Sequence, residues 1–150
     1  MTNLHLFLFN SLSIRFAYEF KLSSLGEHLT FSTNFFCATL PFSISARIFK
    51  KNQTEYLGVY LFSENELDTS DWWIRTMSEL YLKSRTGGRD IIHNQNQTFA
   101  KDGLSRGIDT IIELDKLKRS SEFVHSGRIV VEAWLMVVEV SRRRKFPKLF

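Results

Sequence analysis

The chain has 150 residues, enough for one domain with a sizeable core and too short for two ordinary ones. Apolar residues make up 43% and charged residues 24%, which excludes a disordered chain. The net charge of +4 is concentrated: the last ten residues, SRRRKFPKLF, carry five basic groups and no acid, and without them 15 basic residues face 16 acidic ones.

The N-terminal MTNLHLFLFN is apolar, but it lacks a basic leading region and a small-residue cleavage site, so no signal peptide is expected. No apolar run approaches the roughly 20 residues of a membrane helix. The expected location is cytoplasmic or nuclear. The NQT sequons at Asn52 and Asn96 are accordingly read as chance. The single cysteine, Cys37, sits in the apolar run NFFCATL and excludes an internal disulfide or a cysteine-rich zinc site.

From residue 14 onward the dominant period is two. Phe16, Tyr18 and Phe20 alternate with Ala17, Glu19 and Lys21. In PFSISARIFKK, Phe42, Ile44, Ala46 and Ile48 share a face, opposite Ser43, Ser45, Arg47 and Phe49. KNQ at 51–53 is a turn signal, and in YLGVYLF the set Leu57, Val59 and Leu61 opposes Tyr56, Gly58, Tyr60 and Phe62. The polar SENELDTSD is a loop. After it, Trp72, Ile74, Thr76, Ser78, Leu80 and Leu82 fall on one face, and Trp73, Arg75, Met77, Glu79 and Tyr81 on the other. TGGRD predicts a Gly-Gly hairpin turn. IIELDKLKRSS predicts a short helix with Leu114 and Leu117 on one face. HSG at 125–127 leads into a last strand whose Ile129, Val131, Ala133 and Leu135 alternate with Val130, Glu132, Trp134 and Met136. Strands of this pattern bury one face and wet the other, and predict an all-β, antiparallel β-sandwich of about eight strands with one short helix.

Catalytic signatures are missing from the sequence. The four histidines are isolated, and there is no HExxH, GxSxG or P-loop. Glu64, Glu66, Asp68 and Asp71 have the spacing of an ordinary solvated loop. No enzymatic activity, metal or cofactor is expected.

The order of the strand motifs resembles the MATH (meprin and TRAF homology, TRAF-like) domain, in the divergent style of nematode members. PFSISARI resembles the family's W-x-I-x-I strand, with Phe42 at the tryptophan position. YLGVYL is similar to LG-x-YL, and WWIRTMSELYL to W-x-V-x-A-x-x-x-L-x-L with Trp72 on the tryptophan. NQTFAKDGLSRGIDTIIELDKL and EFVHSGRIVVEAWLMV resemble the two closing motifs. The resemblance implies a TRAF-like sandwich over 14–140, with 1–13 as an N-terminal extension and 141–150 as a basic tail. It also implies a non-enzymatic module binding short linear peptides in a shallow sheet groove, as adaptor or substrate-recognition piece related to ubiquitin-ligase receptors.

Residue by residue, the resemblance puts Tyr60 at the central groove aromatic, exposed on the face opposite Leu57, Val59 and Leu61. Arg47 and Phe49 flank it, Thr76 and Gln97 line it, and Arg106, Gly107 and Ile108 form one wall. Arg and Ile replace two aromatics of that wall, which implies a more acidic ligand, since a guanidinium pairs with carboxylate or phosphate. Two alternatives stand beside peptide binding. One is nucleic-acid or anionic-membrane binding through Arg142, Arg143, Arg144, Lys145 and Lys148. The other is a structural role through self-association of the LHLFLF segment.

Overall fold

The structure, a computed structural model, describes residues 13–65 and 72–142. The LHLFLF segment, most of the SENELDTSD loop and the tail beyond residue 142 lie outside the described residues. In chain order the strands are β1 (Ser13–Lys21), β2 (Thr30–Phe31), β3 (Phe35–Cys37), β4 (Leu40–Lys51), β5 (Thr54–Ser63), β6 (Trp72–Leu82), β7 (Ile91–Ala100), β8 (Ser105–Glu113) and β9 (Arg128–Arg142). A short helix, α1 (Leu114–Lys118), and a 3-10 turn at Leu22–Ser24 complete the set. The first sheet runs β1-β9-β6-β7; the second runs β2-β4-β5-β8, with β3 also on β4, and the pairings are antiparallel. The all-β sandwich is as the alternation predicts. Its two shortest strands, β2 and β3, carry no pattern long enough to read in the sequence.

The period-two faces become the core. Phe42, Ile44 and Ala46 of β4, Leu57, Val59 and Leu61 of β5, Ile74, Leu80 and Leu82 of β6, and Ile129, Val131, Ala133 and Leu135 of β9 are all fully buried between the sheets. Aromatic edge contacts knit the layers: Phe42 packs against Phe99 of β7 at 5.7 Å between ring centres. Leu114 and Leu117 close the core from α1, and Trp72 is buried at the start of β6.

Local chemistry sets the turns. Lys51 pairs with Thr54 around Asn52 and Gln53, whose φ values of 52° and 68° are the left-handed pair of a two-residue hairpin. Ser126 and Gly127 (φ 51° and 72°) repeat this ahead of β9. Ala38 and Thr39 do the same between β3 and β4, without an Asn or Gly to ease it. The expected Gly-Gly hairpin is corrected. Leu82 pairs directly with Ile91, and residues 83–90 form a wider loop. The Asp90 carboxylate holds it, accepting from the Ser84 N–H at 2.7 Å and from Lys83 Nζ at 2.9 Å. Side-chain bonds to Asp90 thus do the work that a tight glycine turn was expected to do.

A second correction concerns the wet face. Ser43 and Ser45 of β4 are fully buried, although they point away from the inter-sheet core, so the middle of the second sheet is covered on both sides.

Candidate functional site

The cover over that outer face is the candidate site. Register aligns Phe31, Ser45, Tyr60 and Gly107 in one row across β2, β4, β5 and β8. Directly paired residues present their side chains to the same face. The next row pairs Arg47 with Gly58. A Cβ on Gly107 would meet Tyr60 Cδ1 at 2.8 Å and the Val59 carbonyl at 2.1 Å, and a Cβ on Gly58 would meet Tyr60 Oη at 2.3 Å. The Tyr60 ring therefore lies flat along the sheet, in a trough left open by two glycines. It is 7% exposed.

Lying flat brings the hydroxyl to two charged neighbours. Tyr60 Oη donates to Asp109 Oδ1 at 2.5 Å and accepts from Arg47 Nε at 3.1 Å. Arg47 Nη2 closes the triangle on Asp109 Oδ1 at 3.3 Å. The Arg47 guanidinium also stands 5.5 Å from the Tyr60 ring centre and 5.2 Å from that of Phe49, within cation–π reach of both. Burial, reinforced by the bond to Asp109, pushes the Tyr60 phenol up to about 12, with Arg47 opposing the shift. The bond to Tyr60 is the main cause holding Arg47 above its ordinary value. Arg47 and Asp109 keep about a third and nearly half of their side chains open to solvent.

Around the triangle lies an aromatic rim. Phe31 and Phe62 meet edge to face at 5.1 Å, and Phe31 is 42% exposed. Phe49 is half-buried. Ser43 Oγ donates to Glu64 at 2.7 Å beside this rim. Ser45 Oγ, under the cover, has no hydrogen-bond partner among the described residues.

The structure separates the residues assigned from the resemblance. Tyr60, Arg47, Phe49 and Gly107 come together on this face. The expected exposure of Tyr60 is corrected: alternation gives the direction of its side chain, but Arg47, Asp109 and the glycine trough decide its burial. Thr76 sits on β6 of the other sheet, points into the core at 1% exposure, and donates from Oγ1 to the Gln97 carbonyl at 3.1 Å. Gln97 is its partner on β7, half-buried and away from the Tyr60 row.

Arg106 pairs with Leu61 and Ile108 with Val59, so both take the inward side of β8, opposite Tyr60. The Arg106 guanidinium is engaged by carbonyls: Nε donates to Thr98 at 3.0 Å and Nη1 to Ser105 at 3.3 Å. Gln95 Nε2 returns a bond to the Arg106 carbonyl at 3.2 Å. Arg106 thus ties the edge strand of one sheet to the edge strand of the other. It does not stand as a wall beside Tyr60, so the acidic ligand preference inferred from it loses its basis.

Two participants were missed in the sequence. Asp109 shares the parity of Gly107 and was within reach of the same reasoning. Phe31 belongs to a two-residue strand that left no signal.

Among the described residues there is no cluster of His, Cys, Asp or Glu able to hold a metal ion, and no helix long and apolar enough to cross a membrane. Two face-packed antiparallel sheets, with an aromatic and polar cluster on one outer face, define a β-sandwich of the TRAF-like class. The family model of the MATH domain matches residues 22–137, and the chain belongs to that family. MATH domains are protein-interaction modules and generally non-enzymatic. A search of curated proteins finds no match. β1 precedes the matched segment, yet pairs with β9 along its whole length.

Proposed function

We propose that the outer face of the second sheet binds short linear peptides, and that the chain serves as a substrate-recognition or adaptor piece of the kind found in ubiquitin-ligase receptors. The observation that carries this reading is the Arg47, Tyr60 and Asp109 triangle, preformed and still partly open, inside a rim of partly exposed phenylalanines. Such a face offers apolar side chains of an extended peptide a seat against Phe31, Phe62 and Phe49. It offers one polar side chain a donor in Arg47 and an acceptor in Asp109. Exposed aromatics beside a fixed polar anchor are the usual make-up of an interaction hot spot.

Selection of random linear peptides on the purified chain tests the reading. Peptides enriched on the wild type should bind Arg47→Glu and Phe31→Asp at least about tenfold more weakly, a change of about 1.4 kcal/mol. They should bind Arg75→Glu, on the outer face of the other sheet, unchanged. Equal affinity for all three variants refutes the site.

A further inference from the structure

The open end of the sandwich holds a second concavity, on the far side of β4 from the Tyr60 cluster. There the segment after β1 crosses from the first sheet to the second, pinned by Leu22 N–H to the Gly127 carbonyl at 2.8 Å and by Ile48 N–H to the Gly26 carbonyl at 2.7 Å. Beneath this crossing lies a cavity of about 590 Å³. That volume falls within the roughly 300–1,000 Å³ of small-molecule sites. Its floor is aliphatic: Leu22, Leu25, Ile48 and Leu114. Ile48 lies on the inward face of β4, yet is only half-buried, because the core opens here.

The rim has the opposite character. Lys21, at the end of β1, and Lys118, at the end of α1, stand over the cavity with the hydroxyls of Ser23 and Ser126. Among the described residues, no acidic one lines it. Two other cations at this end are matched: Lys116 lies 3.7 Å from Glu113, and Arg128 lies 3.8 Å from Glu19. Lys21 and Lys118 make no ion pair among the described residues. Two uncompensated ammonium groups above an apolar floor complement one kind of ligand. It carries a single anionic head on an aliphatic body short enough to fit the cavity.

We propose that this pocket binds a small amphiphilic carboxylate, with the aliphatic chain on Leu22, Leu25, Ile48 and Leu114 and the carboxylate between Lys21 and Lys118. The site is separate from the peptide face and does not depend on it. Calorimetric titration of the full chain with decanoate, below its micelle concentration, together with amide NMR shifts, tests the assignment. Saturable one-to-one binding is expected, with shifts concentrated at Leu22, Leu25, Ile48 and Gly127. Charge-assisted bonds to an exposed rim predict that decanol binds about tenfold or more weakly, and that Lys21→Glu/Lys118→Glu loses a similar factor. Both lysines are exposed, so an unchanged melting temperature should confirm that the double variant is folded. Ile48→Trp, which fills the floor, should abolish binding while the lysines remain. Decanol binding as tightly as decanoate, undiminished binding to the double lysine variant, or shifts centred on Tyr60 would each overturn the proposal. So would capture of a Leu-terminated peptide acid without any binding of decanoate.

Discussion

Replacing Tyr60 by Phe removes one oxygen atom and isolates the hydroxyl's role. Truncation to Ala would delete a nearly buried ring and uncover Ser45. Aromatic-to-alanine losses of about 3–5 kcal/mol are usual at such positions, so a loss of peptide binding there would be inseparable from unfolding. In Tyr60→Phe the ring stays in its glycine trough. What disappears is the 2.5 Å donation to Asp109 and the 3.1 Å acceptance from Arg47. A hydrogen bond to a charged partner contributes about 1.5–3 kcal/mol when buried. Asp109 and Arg47 are 46% and 33% exposed and can turn to water, so the lower end applies. We expect a loss of about 1–2 kcal/mol, or roughly 3–8 °C in Tm for a domain of this size. Urea melts followed by tryptophan fluorescence report it directly, since Trp72 is buried in the core.

The same substitution carries a pH signature. The folded phenol titrates at about 12, against an unfolded value near 10. The folded state therefore holds this proton more tightly than the unfolded chain. The stabilisation is fully present below about pH 10 and is lost as pH rises through the folded value. Between those limits the wild type should lose stability more steeply than Tyr60→Phe, and the two curves should converge. A variant within about 0.5 kcal/mol of wild type at pH 7, the scatter of an ordinary surface substitution, with an identical alkaline limb, would refute the hydroxyl's assigned role.

Gly107→Ala should destabilise by about 2 kcal/mol or more, because its Cβ would strike the Val59 carbonyl at 2.1 Å and Tyr60 Cα at 2.6 Å, backbone atoms with no easy retreat. Gly26→Ala, where nothing lies within 4 Å, should be neutral or gain up to about 1 kcal/mol; parallel thermal melts compare the two. Arg106→Ala should cost stability by releasing the Thr98 and Ser105 carbonyls, and should leave the ranking of selected peptides unchanged on a peptide array.

The sequence made the fold legible because long strands repeat their period enough times to be read. Each strand assigned to one face from β4, β5, β6 and β9 packs that face inward. The site was half legible for a related reason. Alternation places Arg47, Phe49 and Tyr60 together on the outer side, and the structure keeps them there. It also places Thr76 with Trp72, Ile74, Leu80 and Leu82, and that placement holds against the groove role suggested by resemblance. Arg106 and Ile108 could not be oriented without the register of β8 on β5. That register slips between Leu57 and Val59, where β8 carries extra residues between Ile108 and Ile112. Burial was the least legible quantity, since parity names a face and says nothing of what lies across it. Tyr60 is covered by Arg47, from the other strand of its own hairpin, and by Asp109 on β8, 49 residues away and brought there only by pairing.

This cover has a consequence for how the face can vary. Tyr60 is held by two glycines beneath it and two charged groups at its hydroxyl, so any change at Gly58, Gly107, Arg47 or Asp109 should act on stability as well as on the proposed binding. Such a centre is preorganised, and little ordering of its own side chains opposes a ligand's arrival. The rim is different. Phe31, Phe49 and Phe62 bury only part of their surface, and their replacement disturbs the core little. Ligand preference on this face should therefore be retunable at the three phenylalanines, with the triangle kept intact. A library varied only at Phe31, Phe49 and Phe62 should yield folded proteins with altered peptide selectivity. One varied at Gly58, Gly107 and Asp109 should yield mainly chains that melt early.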